Sequence, residues 1–198
     1  MEVIKKLSVL PREFYERGTI EVAKDLLGKH VVRVKGNSLM VCKIVEVEAY
    51  RGRDDPASHA FRGVTKRNSP MFGDSGHAYI YFTYGNHYCL NVTTQPKGTP
   101  GAVLIRAVEP VEGIAYMRRR RPNVSDQDLS NGPGKLTKAL GIDSSLNEMD
   151  LTKPGPLFMV DSKFESFKIV QAARVGIRDG ADRMWRFYIA GNSYVSRA

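Results

Sequence analysis

In the run KIVEVEAY, Lys43 to Tyr50, alternation puts Glu46, Glu48 and Tyr50 on one face of a strand and Val45 and Val47 on the other. A carboxylate near a strand end, beside a tyrosine and leading into a long loop, suits a general base, and Glu48 has that position. The plainer alternative is the solvated edge of a half-buried strand. Arg106 interrupts the apolar run AVLIRAVEP on the face of Leu104. Burying a lone charge is costly, so Arg106 needs a partner, and Glu48 is a candidate. A purely structural ion pair is the alternative. A third concentration of chemistry is HAYIYFTYGNHYCLNVT, His77 to Thr93, with Tyr79, Tyr81, Phe82, Tyr84 and Tyr88 around Gly85-Asn86. Aromatic faces stack on nucleic-acid bases at about 1–3 kcal/mol each. Their commoner use in strands is packing.

Other chemistries find less support. His59, His77, His87 and Cys89 lack zinc-ligand spacing, so no metal site is expected. Neither nucleotide phosphate-loop pattern occurs. SNGPGKL reads as a turn into a helix; a functional version would offer backbone N–H groups and Lys135 to a phosphate. Cys42 and Cys89 lie in apolar runs and read as buried thiols of a reducing compartment rather than a disulfide.

These residues need a frame. TIEVAKDLLGK reads as a helix capped by Thr19, with Ile20, Ala23 and Leu27 on one face and Gly28 at its end. HVVRV and VCKIVEVEAY read as strands joined by KGNS. The polar segment from Arg51 to Gly76 has no periodicity, and such a loop inside a compact domain is more often functional than idle. The tyrosine-rich run alternates around a Gly-Asn turn signal, the pattern of a hairpin. GAVLIRAVEP reads as a strand, VEGIAYMRRRR as a helix with arginines at its C-terminal end, and SNGPGKLTKALGI as a short capped helix. KIVQAARVGI and RFYIAGNSYVS read as the last strands. The sum is an α+β fold, a largely antiparallel sheet with helices around it, expected as one domain over residues 1–198.

The 198 residues are 42% hydrophobic and 26% charged, an ordinary globular composition. A net charge of +9 favours a polyanionic partner. No run approaches a membrane span, and MEVIKKLSVLPREFYERG lacks the long apolar stretch of a signal peptide. Basic charge with clustered aromatics suits a protein that handles an unstacked base. The run Arg118 to Arg121 is either a DNA contact or a solvated helix end.

VEAYRGRDDPASHAFRG, RNSPMF, YIYFTYGNHYCLNV, GAVLIRAVEP, NGPGKL, AARVG and RFYIAGNSYVS, in that order, resemble the alkyladenine (3-methyladenine, methylpurine) DNA glycosylase family across nearly the whole chain. The resemblance implies a single mixed domain with a curved antiparallel sheet and a protruding hairpin. It implies a monofunctional, cofactor-free enzyme that acts as a monomer in base excision repair. Such an enzyme flips 3-methyladenine, 7-methylguanine, hypoxanthine or ethenoadenine out of duplex DNA and hydrolyses the N-glycosidic bond, leaving an abasic site. It would be cytoplasmic in a bacterium and nuclear in a eukaryote.

By the same resemblance, Glu48 is the base that activates water, and Arg106 and the Val175 carbonyl hold that water. Tyr50, His59 and Tyr81 enclose the flipped base, and Asn91 crowds the 2-amino group of normal guanine. Tyr84 enters the space the base leaves, and Arg67 and Lys135 touch the DNA backbone. Asn86 and His87 depart from the bulkier tip residues of some relatives, which leaves Tyr84 without a second wedge. Rival readings are a non-catalytic DNA- or RNA-binding module and an enzyme acting on a small nucleoside or RNA.

Strand register supplies an internal test. A two-residue loop, Gly85-Asn86, pairs Tyr84 with His87 and Ile80 with Asn91, which puts Tyr81 and Asn91 on opposite faces. A three-residue loop, Gly85-Asn86-His87, pairs Tyr81 with Asn91 and sends Tyr84 to the other face. The longer loop, or a bulge, is therefore expected.

Overall fold

The computed structural model describes residues 8–162 and 165–196. Residues 1–7, the first part of the segment read above as lacking a signal peptide, lie outside them. The eight strands are β1 (His30–Lys35), β2 (Ser38–Tyr50), β3 (Ala78–Thr83), β4 (His87–Thr93), β5 (Ala102–Glu112), β6 (Leu157–Val160), β7 (Ile169–Ala172) and β8 (Arg186–Ile189). The helices are α1 (Arg12–Tyr15), α2 (Thr19–Leu26), α3 (Ile114–Arg120) and α4 (Pro133–Leu140).

All strands join one antiparallel sheet, the α+β arrangement expected. Its order is β3-β4-β5-β2-β1-β6, with β8 on β2 and β7 on β8. The long strand β2 is the spine. One edge pairs with β5; the other pairs first with β1 through Ser38–Lys43, then with β8 through Glu46–Glu48. One strand serving two neighbours along one edge must twist away from the first, and this curls the sheet.

The β2–β5 ladder slips twice where that handover occurs. Val45 has no partner on β5 and Arg106 has none on β2: Glu46 faces Ala107, while Val47 faces Ile105. Paired irregularities of this kind re-aim side chains. Here they turn Arg106 toward the glutamates of β2.

The main core lies between the sheet and the helices. Val22, Ala23 and Leu26 of α2, Met117 of α3, and Leu136, Ala139 and Leu140 of α4 are buried against Ile44, Val47, Ile105 and Phe187. Two sequence readings shift here. Thr19 does not cap α2: Gly18 holds that place, and the Thr19 hydroxyl is buried at 2.9 Å from Thr94 Oγ1. The helix read from Val111 begins only at Ile114, because β5 runs to Glu112. Gly113 makes the corner at φ 78°, and a Cβ there would lie 2.1 Å from the Leu39 carbonyl oxygen. The short buried strand β6 carries no alternation, so periodicity gave no sign of it.

A smaller cluster, Ala60, Met71, Tyr79 and Ala102, pins the Arg51–Gly76 loop to β3 and β5. Within that loop Asn68 is buried, and its side-chain amide donates to the carbonyls of His59 (2.7 Å) and Gly63 (2.9 Å). A long loop with its own core and internal hydrogen bonds can hold side chains as a strand does.

The hairpin corrects the register expectation in one detail and keeps its consequence. The loop has three residues, but they are Tyr84, Gly85 and Asn86, with Thr83 opposite His87. Tyr81 therefore faces Cys89, and Asn91 faces Tyr79. Tyr79, Tyr81, Cys89 and Asn91 still share one face, since both registers differ by an even number of residues. Tyr84 sits in the turn itself at φ 51° and is 82% exposed.

Candidate active site

The sheet's curl, the Arg51–Gly76 loop and the segment after β7 surround a cavity of about 340 Å³. Its walls include Tyr50, His59, Tyr81, Asn91, Arg106 and Val175, six of the residues singled out above, and Tyr84 and His87 stand at its hairpin side. The volume falls in the range of small-molecule sites. Of the four residues considered as metal ligands, His59, His87 and Cys89 line the cavity and His77 does not. Among the described residues no group of three His, Cys, Asp or Glu is placed to hold a metal ion.

Glu48 is fully buried, which removes the solvated-edge alternative. It does not itself border the cavity; three residues that do are hydrogen-bonded or ion-paired to it. The Tyr50 hydroxyl donates to Oε2 at 2.7 Å, the Val175 N–H donates to Oε1 at 2.7 Å, and Arg106 Nη1 lies 3.3 Å from Oε1. The carboxylate thus stands one layer behind the wall, aimed by three donors. Burial, then the charge of Glu48, pushes the Tyr50 hydroxyl far above its ordinary range, so it remains a donor.

Val175 reaches Glu48 through its N–H, whereas the motif suggested its carbonyl. That carbonyl accepts no hydrogen bond among the described residues.

Glu46, two residues earlier, has the same burial and a different environment. Oε1 accepts from Arg106 Nε (2.9 Å), Arg186 Nε (2.7 Å) and Ser196 Oγ (2.8 Å), and Oε2 accepts from the Ser196 N–H (2.6 Å). Arg106 therefore bridges both glutamates rather than pairing with Glu48 alone. Burial pulls its pKa down, but the charges of Glu48 and Glu46 outweigh burial and leave it raised.

The aromatic walls are held from behind. His59 Nδ1 lies 2.8 Å from the Tyr79 hydroxyl, and the His59 ring meets Tyr81 edge-on at 4.7 Å between centroids. Burial, then the nearby charge of Arg67, lowers the His59 pKa, so the ring enters neutral solution uncharged. Burial pushes the Tyr79 hydroxyl up to about 12. Asn91 is 3% exposed, and its Nδ2 donates to the Tyr79 carbonyl at 2.9 Å, which fixes the side chain against the cavity floor. Arg67 is exposed beside the cavity, its guanidinium 4.9 Å from the Tyr81 ring centre.

Sequence reasoning passed over Asp55 and Arg174. Both side chains are fully buried, and they form a two-pronged ion pair at 2.7 and 2.8 Å. The pair ties the Arg51–Gly76 loop to the segment carrying Val175. The Arg174 guanidinium also lies 4.8 Å from the Tyr50 ring centre. RDDPASH and AARVG are far apart in sequence, and nothing local marks which of Asp54 and Asp55 turns inward.

Two basic features are occupied within the chain. Lys135 Nζ lies 3.0 Å from Asp128 Oδ1 and 2.8 Å from Asn131 Oδ1. In the arginine run, Arg118 pairs with Asp126, Arg119 lies over Tyr116, Arg120 donates to the Tyr116 carbonyl, and Arg121 donates to the carbonyls of Asp128 and Leu129. This helix packs on the Met40–Cys42 end of β2. Six residue steps along the strand, about 20 Å, separate Cys42 from Glu48.

The sequence model of one family, described as methylpurine-DNA glycosylase, matches residues 13–193. A protein of Carboxydothermus hydrogenoformans, named "Putative 3-methyladenine DNA glycosylase", is 50% identical over 96% of this chain and 99% of its own length. Proteins with the same name from Methanoculleus marisnigri (50% identical, 95% of this chain and 98% of the relative) and Clostridium acetobutylicum (47%, 94% and 97%) are similar over the same extent.

Proposed function

The chain belongs to the methylpurine-DNA glycosylase family, and from that premise we propose that residues 1–198 form a single-domain, monomeric and monofunctional enzyme. It turns a damaged purine nucleotide out of duplex DNA into the aromatic cavity and hydrolyses its N-glycosidic bond. Family membership carries the coarse statement, a DNA glycosylase acting on methylated purines. The observation that carries the finer one is Glu48: a fully buried carboxylate aimed by Tyr50, Arg106 and Val175 at the back of a cavity with aromatic walls.

The chemistry follows from what each group can do. A purine in duplex DNA hides its C1′, so the nucleotide must leave the stack. Unstacking costs a few kcal/mol, and the exposed Tyr84 at the hairpin tip is shaped to fill the gap. In the cavity the base lies between Tyr50, His59 and Tyr81. Alkylation at N3 or N7 makes a purine cationic, and ring faces favour it by cation–π attraction. Asn91, held by its bond to the Tyr79 carbonyl, crowds an exocyclic 2-amino group and disfavours normal guanine.

Glu48 Oε2 accepts one bond, from Tyr50, and keeps a lone pair for the proton of a water that attacks C1′. Arg106 and the Val175 carbonyl orient that water. The negative charge of Glu48 also stabilises the positive charge that develops on the sugar as the base leaves. Strand cleavage through a covalent imine needs an amine at the sugar, and among the described residues no lysine lines the cavity. Arg67, exposed at the rim, is assigned to the DNA backbone. Lys135 is assigned there too, and must exchange Asp128 for a phosphate to act.

The test is base release from duplexes carrying 3-methyladenine, 7-methylguanine, hypoxanthine or ethenoadenine. The expected result is free base and an abasic site, with strand breaks only after alkali. Lesion binding without release from any duplex would favour a binding module. Equal rates on free nucleosides or RNA would move the substrate away from duplex DNA.

A further inference from the structure

We propose that Glu46 is a positioning residue for the reaction, holding Arg106 in the orientation that Glu48 requires, and that Ser196 locks this arrangement. The inference rests on the reading of Glu48 as the base. Glu46 and Glu48 are two residues apart on one strand and both fully buried; three partners of Glu48 line the cavity, Tyr50, Arg106 and Val175, and of the partners of Glu46 Arg106 alone does. Glu46 accepts from four donors and does not line the cavity. Its contribution must pass through what it holds.

What it holds is the Arg106 guanidinium, a planar group with its donors in a fixed fork. Nε donates to Glu46 Oε1 at 2.9 Å, Nη1 lies 3.3 Å from Glu48 Oε1, and Nη2 lies 3.4 Å from Ser196 Oγ. Three contacts on three nitrogens fix both the position and the tilt of the plane. Glu48 alone, through a single 3.3 Å contact, leaves that plane free to turn about the contact.

Arg186 and Ser196 decide how Arg106 divides between the carboxylates. With only one guanidinium near, Glu46 would compete with Glu48 for it. Arg186 from β8 brings a second positive charge to Glu46 at 2.7 Å, and its Nη2 donates to the Ser196 carbonyl at 3.2 Å. Ser196, on the segment after β8, gives Glu46 its N–H and its hydroxyl. Two carboxylates and two guanidiniums then balance in charge, and Arg106 keeps one nitrogen for Glu48. A buried set of this kind is stable only when complete. Completing it requires the chain to return from β8 to β2 and close over Glu46.

Glu46→Gln, Ser196→Ala and Ser196→Thr in the full chain test this, each measured for thermal midpoint, affinity for a lesion duplex and single-turnover base release. The loss of a hydrogen bond to a charged group predicts a release rate about tenfold lower for Ser196→Ala and about 10- to 100-fold lower for Glu46→Gln. Lesion-duplex affinity should stay within about twofold, because Glu46 does not line the cavity. Ser196→Thr keeps the hydroxyl and should restore the rate. If Glu46→Gln does not fold, Ser196→Ala decides alone, since it removes one hydroxyl.

An unchanged rate per folded molecule, or rate and affinity falling together, would overturn the proposal. These outcomes differ from failure of the glycosylase reading, in which the unaltered protein releases no base. They differ also from failure of the base assignment, in which Glu48→Gln stays active.

Discussion

At its Met40–Ile44 end, β2 buries Met40, Cys42 and Ile44 in the apolar core shared with α2, α3 and α4; at its Glu46–Tyr50 end the same strand buries two carboxylates among arginines, beside the half-buried Tyr50. Glu46 and Glu48 are as fully buried as Met40 and Ile44, so burial alone does not separate structure from chemistry. The apolar end is stabilised atom by atom and tolerates partial loss. The polar end is stabilised as a set, because each buried charge left unpaired is costly. The first end supplies stability, and the second uses part of it to keep charged groups aimed at the cavity.

Mutations can separate the two ends. Glu48→Gln carries the largest expected effect: base release falls by about a thousandfold, the scale of general-base catalysis, while lesion-duplex affinity is kept. Single-turnover release beside equilibrium binding checks this, and preserved excision removes Glu48 from the mechanism.

Ile44→Ala sharpens the contrast from the apolar end. It should cost about 2–5 kcal/mol of stability by opening a hole in a fully buried site. Base release per folded molecule should stay near its original value, as denaturant unfolding and an active-site titration would show. A large loss of rate at unchanged fold would mean that the two ends are coupled.

Tyr84→Ala tests the exposed margin of the polar end. Lesion-duplex affinity should fall about tenfold, with the melting temperature nearly unchanged, since the side chain is 82% exposed. An unaltered affinity would leave the tip without a role in flipping.

The smallest effect belongs to the arginine run. Replacing Arg118 and Arg119 with alanine should leave the dependence of DNA affinity on salt unchanged, because these groups are engaged within their own helix region. Each lost phosphate contact would lower the logarithmic slope by about 0.9, so binding at several salt concentrations decides the point.

Much of this frame was legible in the sequence where the signal is local. Alternation marks β2 through VCKIVEVEAY, and Gly85-Asn86 marks the hairpin. The loop length was legible from a constraint, that Tyr81 and Asn91 share a face. Its placement was not, because Tyr84 in the turn at φ 51° goes against a tyrosine's usual backbone preference. β6 was missed for a related reason: a short strand buried on both faces shows no period.

The site divides along the same line. By itself the sequence determined the set of reactive residues, namely a Glu-x-Glu strand, an arginine in an apolar strand, and tyrosines on a hairpin, and its resemblance named Glu48 among them. The tertiary structure alone decided how two alternating glutamates differ. Glu46 is engaged by four donors because Arg186 and Ser196 arrive from 140 and 150 residues away, and Glu48 is aimed because Val175 arrives from 127 away. Alternation along a strand assigns both carboxylates to one face and cannot tell them apart. Most of their partners are non-local, and a carboxylate takes its role from the donors that reach it.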